Sequence, residues 1–344
     1  MDKIKIAVIG LNFGYSVVKE LLKTPANNYF HLSAVCDLNP ELLNKVSSLH
    51  SIPAVKSIDE MLVDPSIKAV ALMTPPSGRA GIIRRIINSG RHVMTTKPFE
   101  RDIVEAEKIL LEAKELKKVV HLNSPSFSLS PAVQKINEFV DIYNLGQPIG
   151  VRSDLWAHKP HKADGSWYDD PIKCPAAPIF RIGIYAINEI IDVFGEADSV
   201  SVITSRLLTG RPTPDNAQLS LKFKNGAIGN VFVSFCIDDG FDHRHAHTFN
   251  YERGTIYWDV GTSSSLDPEK EIEIKLIRNS GKRWQPTVIS ELVKMSETYD
   301  WESFYHACTK EQPTSEAYIK RIIAGIRVLN AMAKADQSGK LEVV

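Results

Sequence analysis

Lys97 stands directly before Pro98 and after Thr95-Thr96, at the end of a short run, His92 to Met94, that reads as a strand. Proline restricts the residue before it to extended conformations and admits a cis bond, so Lys97 is aimed rather than left to swing. An aimed ammonium can hold a hydroxyl and stabilise the alkoxide that forms when the hydroxyl loses its proton. Standing alone, the same lysine could equally sit in a solvated loop. A second group is Gly10-Leu11-Asn12-Phe13-Gly14-Tyr15, where a strand runs into a helix. That is the place of a GxGxxG turn, whose helix N-terminus receives a pyrophosphate. Gly10 fits the first glycine, Asn12 stands at the second, Tyr15 at the third, and Gly14 comes one position early. Asparagine tolerates left-handed backbone angles, so the turn can survive at Asn12. Asp37 closes the next strand, where a carboxylate can bind both ribose hydroxyls and repel a 2′-phosphate, and no arginine follows in Leu38-Asn39-Pro40. NAD is expected over NADP. Asp37 could instead serve only the N-cap of the helix that follows.

Such residues need a scaffold that brings strand ends together. From Lys3 to about Asn123, the apolar runs Ile4 to Ile9, Leu32 to Cys36, Ala69 to Met73, His92 to Met94 and Val119 to Leu122 alternate with helical patterns. Among these are Ser57 with Glu60, which has the spacing of a capping box, and an amphipathic stretch from Ile103 to Leu116. The expected fold class is α/β, with an N-terminal Rossmann doubly wound parallel sheet over residues 1–123. Gly10, Asp37, Thr74 and Lys97 then fall at the carboxyl ends of strands, where such sheets bind ligands. After a Ser- and Pro-rich seam at 124–131 the texture becomes β-rich. Leu219, Leu221 and Phe223 alternate up to an Asn225-Gly226 turn, Ile228 to Phe235 follow, and Ile272, Ile274 and Leu276 alternate later. A C-terminal α+β domain with an open, mainly antiparallel sheet is expected over 124–344, its helical tail, Glu316 to about Asp336, packing back on the first domain.

Composition narrows the partners. Lysine plus arginine and aspartate plus glutamate are 41 each, so no overall field recruits nucleic acid or an anionic membrane. The four cysteines are widely spaced without a CxxC pair, which argues against a disulfide framework and a zinc knuckle. With no apolar leader and no long apolar run, a cytoplasmic protein with a small-molecule partner is expected.

The order and spacing of these motifs resemble the Gfo/Idh/MocA oxidoreductases, a family that includes glucose-fructose oxidoreductase and inositol dehydrogenases. The resemblance rests on Gly10 and Gly14, Cys36-Asp37, Thr74-Pro75-Pro76, Gly90-Arg91-His92-Val93, Lys97-Pro98, and the run from Arg181 to Asn188. It implies a nicotinamide site formed by Gly10, Asn12, Phe13, Gly14, Asp37, Thr74, Pro75, Pro76 and Lys97. It also implies a substrate cleft between two domains, and a homo-oligomer built through the open sheet. Where the family has Glu-Lys-Pro, Thr96 replaces the glutamate. Where its cleft helix has Asp-x-Gly-x-His-x-x-Asp, or Tyr and Asn in the glucose-fructose oxidoreductase branch, this chain has Arg181, Gly183, Tyr185 and Asn188. The family's glycine triplet becomes Pro175-Ala176-Ala177-Pro178, and its Thr-Pro-Asn-x-x-His becomes Thr74-Pro75-Pro76-Ser77-Gly78-Arg79.

These departures set the expected chemistry. Lys97, Tyr185 and Arg181 are the candidate catalytic residues: neighbouring cations favour a tyrosinate, so Tyr185 would serve as acid and base while Lys97 orients the hydroxyl. Arg181 could instead bind an acidic substrate group, or pair structurally with Asp169, Asp170 or Glu189. His158 and Trp167, with Asn188, are the expected substrate contacts. His243, His245 and His247 alternate along a likely strand. Side chains two apart on a strand are spread by about 7 Å, so no metal site is expected, and a subunit interface or solvated face is the better account. The reading is an NAD-dependent oxidoreductase acting on the CH–OH group of a sugar, cyclic polyol or sugar acid. The alternatives are a sensor of the same fold that has lost catalysis, or an NAD-assisted glycoside hydrolase or lyase.

Overall fold

The computed structural model describes residues 2–241, 243–259, 271–294 and 298–344. The chain begins β1 (Ile4–Ile9), α1 (Leu11–Leu21), α2 (Ala26–Tyr29), β2 (Phe30–Cys36), α3 (Pro40–His50), β3 (Ala54–Val55), α4 (Ile58–Val63) and β4 (Ala69–Leu72). It continues α5 (Arg79–Asn88), β5 (His92–Thr95), α6 (Ile103–Glu115), β6 (Val120–Leu122), α7 (Pro131–Ile142), β7 (Pro148–Trp156) and α8 (Ile184–Phe194). Then come β8 (Ala197–Ser205), β9 (Asn216–Phe223), β10 (Ile228–Ser234), β11 (Arg244–Tyr251), β12 (Gly254–Asp259), β13 (Glu271–Asn279) and β14 (Pro286–Lys294). The last elements are α9 (Trp301–Thr309), α10 (Glu316–Ser338) and β15 (Glu342–Val343).

Two compact units result: Met1–Phe127 with Tyr299–Ile323, and Ser128–Thr298 with Ala324–Val344. The chain returns to the first unit at 299–323, which takes in α9 and the start of the tail helix, while the rest of that helix, from Ala324, belongs to the second unit. Aromatic burial accounts for the return, because Trp301, Phe304 and Tyr305 on α9 enclose Phe30, with Phe304 stacked on it at 5.6 Å.

The first unit is a six-stranded parallel sheet in the order β3-β2-β1-β4-β5-β6, which places its switch point between β1 and β4. β4 and β5 are buried throughout, as strands covered on both faces must be. The helices start where the sequence places their caps: Ser57 Oγ accepts from the Glu60 amide at 3.1 Å, and Asp102 and Asn39 each accept from two amides. Arg91, in the family-like Gly-Arg-His-Val run, is a buried brace that donates to the carbonyls of Leu62, Asp64 and Ile67.

Two histidines lie inside this unit. His92 Nδ1 accepts from the Val119 amide, and His121 is stacked on Phe127 at 4.4 Å. Burial pushes His92 down to about 4, with Lys118 adding to the effect, and pushes His121 down to about 3, with His92 adding. Both are neutral in the folded chain and protonate in the unfolded chain below about pH 6.5. Their contribution is therefore whole above that pH and is lost as the pH falls towards 4, at about 1.4 kcal/mol per pH unit for each. Thermal unfolding followed from about pH 7.5 to about pH 4.5 should show a shallower loss in His121→Leu than in the parent. Identical slopes would remove His121 as a source.

The second unit is a nine-stranded sheet, β14-β13-β12-β11-β7-β10-β9-β8-β15, antiparallel at each pairing but β7 with β10. The expected hairpin is β9–β10, turning at Gly226 with φ 90°. One face of the sheet is covered by α7, α8 and the second half of α10, and their apolar sides make the core, including Ile136, Phe139, Ile187, Ile190, Leu219, Val231, Phe249, Leu329 and Met332. Among the described residues no helix is long and apolar enough to cross a membrane.

Candidate functional site

The first unit gathers the ends of β1, β2, β4 and β5, and these carry Gly10, Asp37, Thr74 and Lys97. Gly10 caps α1 with φ 86° and ψ 94°, and offers no side chain to the helix amides. A Cβ at Gly10 would lie 3.0 Å from the Met73 carbonyl group and 3.2 Å from the Thr74 nitrogen, so the glycine is required twice, by angle and by approach. Asn12 has no left-handed backbone; it lies with Phe13 in the first turn of α1, and both are open to solvent. This corrects the expectation that Asn12 would make the turn, because Gly10 makes it alone. Gly14 does the work of the family's last glycine one residue early. A Cβ there would press on Met73 and Val8 at 3.1–3.2 Å, so it sets how close α1 lies to the sheet. Tyr15 is consequently free of that contact and meets His50 instead, hydroxyl to Nε2 at 3.3 Å.

Asp37 is not the N-cap of α3, a task Asn39 performs. Its carboxylate accepts the Leu11 amide at 2.5 Å and the Asn39 amide at 2.7 Å, tying the end of β2 to the glycine turn. A carboxylate has about four lone-pair positions, so capacity remains for ribose hydroxyls. Thr74, after β4, has a buried hydroxyl oxygen with no hydrogen-bond partner among the described residues, while Pro75 is exposed and Pro76 buried. The helix start whose cap residue has no side chain, the crowded glycine and the orphaned hydroxyl all fit a dinucleotide lying across these strand ends.

Lys97 follows β5, whose Thr95 pairs with Leu72 of β4, which in turn pairs with Ile9 of β1. The Lys97-Pro98 bond is cis, and the Lys97 amide donates to Asn123 Oδ1 at 3.0 Å. Beneath this turn lies Arg79, 1% exposed. Its guanidinium donates to the carbonyls of Thr96, Pro98 and Phe99 (2.9 Å for the last) and to that of Thr74. It thus clamps the loop after β4 to the loop after β5. Burial draws its pKa down to about 10, with Glu100 opposing. Glu100, itself 3% exposed, accepts the amides of Gly78, Ala80 and Arg101 around the start of α5. Sequence reading missed both residues as functional supports; the signal on hand was an arginine where the family keeps histidine.

In the second unit, the π-helical turn Ile179–Gly183 leads into α8. Gly183 packs where a Cβ would lie 3.0 Å from Val233 of β10. The three carboxylates offered as structural partners of Arg181 pair with other residues: Asp169 with Arg211 at 2.6 Å, Asp170 with Lys173, and Glu189 with His245 and His247. The Arg181 guanidinium lies over the rings of Tyr168 at 3.9 Å and Phe235 at 4.7 Å, and burial lowers its pKa. Tyr185 is half-buried in the first turn of α8. Asn188, expected at the substrate, is turned inward: it is 4% exposed and occupies the space left by Gly325, whose Cβ would come within 2.3 Å of Asn188 Oδ1. Trp167 packs on Tyr168 and Phe180, and His158 Nδ1 lies 3.3 Å from Asp238. His247 is on the covered face of the sheet, not a solvated one, buried with its Nδ1 2.6 Å from Ser153 Oγ.

Comparison with known proteins places these features. Residues 4–124 match the model of the oxidoreductase family with an NAD-binding Rossmann fold, and residues 133–257 match the GFO/IDH/MocA C-terminal domain. The chain belongs to the GFO/IDH/MocA family. An uncharacterized oxidoreductase of Schizosaccharomyces pombe, C115.03, is 28% identical over 170 residues, 49% of this chain and 44% of that protein. Levoglucosan dehydrogenase of Pseudarthrobacter phenanthrenivorans is 21% identical over 224 residues, 57% of each. The matches thus span about half the length of these curated relatives. A levoglucosan dehydrogenase solved with NADH and levoglucosan superposes with TM-score 0.78 at 15% identity over 100% of both chains. An oxidoreductase of Desulfitobacterium hafniense described as NADPH-dependent reaches 0.83 at 14% identity over 100% of this chain and 98% of the other. At such identities these GFO/IDH/MocA structures establish the fold.

Proposed function

We propose that this protein is an NAD-dependent oxidoreductase acting on the CH–OH group of a sugar, cyclic polyol or sugar acid. The observation that carries it is the line of Gly10, Thr74 and Lys97 along the neighbouring ends of β1, β4 and β5, with Asp37 tied into the same turn. NAD supplies the hydride acceptor. Lys97 orients the substrate hydroxyl and stabilises the developing alkoxide, and Tyr185 exchanges the proton. Arg181, whose guanidinium lies over the rings of Tyr168 and Phe235, is of the residue type suited to a carboxylate, which favours acidic substrates over neutral ones. Levoglucosan dehydrogenase, a relative named for a sugar derivative, supports the substrate class.

The test is incubation with NAD and pools of sugars, polyols, inositols and sugar acids, following absorbance of the reduced nicotinamide. Failure to bind NAD overturns the reading. Binding of NAD and a ligand without reduction in any pool would favour the second reading, a sensor of the same fold, whose motive is Arg181 locked over Tyr168 and Phe235 where the family has aspartate. Cofactor choice has its own test. Asp37→Asn keeps an acceptor for the Leu11 amide but removes the charge, and should shift preference towards NADP by about tenfold or more in the ratio of dissociation constants, about 1.4 kcal/mol. An unchanged ratio would show that Asp37 does not face the ribose.

A further inference from the structure

Away from the dinucleotide cradle, three ligating atoms of the second unit meet at one point. Glu189, on α8, aims its carboxylate at β11, and His245 and His247 of that strand aim their imidazoles back at it. The two Nε2 atoms are 2.8 Å apart, and Glu189 Oε2 lies 2.9 Å from that of His245 and 3.0 Å from that of His247. Side chains two apart on a strand leave the backbone about 7 Å apart. Here the rings lean together, their centroids 4.7 Å apart, and the long imidazole arms bring their tips to a common position under α8.

Hydrogen bonding alone serves this triangle poorly. Each neutral imidazole has one N–H, and if both donate to Glu189 the two N–H groups face each other across 2.8 Å. If only one ring carries its proton at Nε2, that proton serves a neighbour but Glu189 and the other ring still meet lone pair to lone pair, and if neither does, three lone pairs converge. A cation at the centre uses all three. The surroundings already fix the rings for that purpose: His247 Nδ1 is 2.6 Å from Ser153 Oγ, and Trp258 stacks on His245 at 5.7 Å and 23°. A tetrahedral ion with bonds of about 2.0–2.1 Å separates its ligands by about 3.3 Å, so each side chain need retreat only a few tenths of an ångström. His247 is fully buried at its side chain, whereas His245 and Glu189 are 16% and 21% exposed, which leaves a path for the ion and a position for water.

We propose that Glu189, His245 and His247 bind a divalent transition-metal ion, zinc foremost, that ties α8 to the sheet. Two histidines and one carboxylate with an open position suit zinc, and also ferrous iron. The ion would sit one helical turn from Tyr185, which precedes Glu189 on the same face of α8. The proposal does not rest on the nicotinamide reading, since the cradle is formed by other residues.

Full-length protein purified without chelators is expected to carry zinc or iron in stoichiometric amount by elemental mass spectrometry. The metal-free chain should bind Co²⁺ with the visible absorption of a four- or five-coordinate ion. Its melting temperature should fall on metal removal and recover with zinc. Glu189→Gln and His245→Asn should each lose the metal and the response to zinc, and Ser153→Ala should weaken zinc binding by about 10- to 100-fold. If the variants do not fold, the cobalt spectrum and zinc response of the parent decide. No metal after purification together with no Co²⁺ or Zn²⁺ binding by the metal-free parent overturns the proposal, as does full metal content in both folded variants.

Discussion

Lys97→Ala is expected to lower the rate of nicotinamide reduction by about 10²-fold or more, the scale of losing one donor aimed at developing negative charge, while NAD still binds. The two halves of that expectation are separable. In the proposed site Gly10, Asp37 and Thr74 would hold the dinucleotide without the lysine side chain, and the fold around residue 97 is kept by backbone contacts, among them the bond from its amide to Asn123 Oδ1. Calorimetric titration with NAD beside steady-state turnover would show an unchanged dissociation constant and a lost kcat. Tyr185→Phe separates the partner role, since it removes the proposed proton acceptor and should lower kcat while NAD still binds. Full activity in Lys97→Ala would end the assignment of Lys97 as the hydroxyl-orienting group.

Arg79→Met should be the most damaging single change in the first unit. The side chain faces four carbonyl groups in a buried site, and methionine fills its volume while leaving them unanswered. With about 1–3 kcal/mol for each buried polar group left unsatisfied, and some carbonyls relaxing towards water, a loss of about 3–5 kcal/mol is expected, read by urea denaturation. Arg79→Lys should recover part of this, having donors but not the planar fork. A loss below about 1 kcal/mol in Arg79→Met would show that the carbonyls find other partners.

Much of the first unit could be read from the sequence because its strands are short apolar runs between cap residues, and both signals are local. The Asn225-Gly226 hairpin was legible for the same reason. Other features depended on contacts between residues far apart in the chain. Gly14 looked misplaced until its neighbours proved to be Met73 and Val8. Asn188 resembled a substrate contact by position, yet Gly325 on a distant helix opens the space that draws it inward. The histidines of β11 were judged by spacing along one strand, and the carboxylate that gathers them comes from another element. Arg79 was visible only as a departure from a family pattern, because no local rule tells a surface arginine from one that braces two loops.

The π-helical turn before α8 sets where Arg181 stands relative to the helix that follows. A π turn closes its hydrogen bond one residue later than an α turn, and such turns inside α-helices are frequent at functional sites. Removing one residue from 179–183 would restore α geometry and swing everything before the deletion by about 100° around the axis relative to Tyr185 and Glu189. Substitution cannot do this. Arg181 stands on that turn, so Arg181→Asp would leave a carboxylate in an arginine's seat over two aromatic rings.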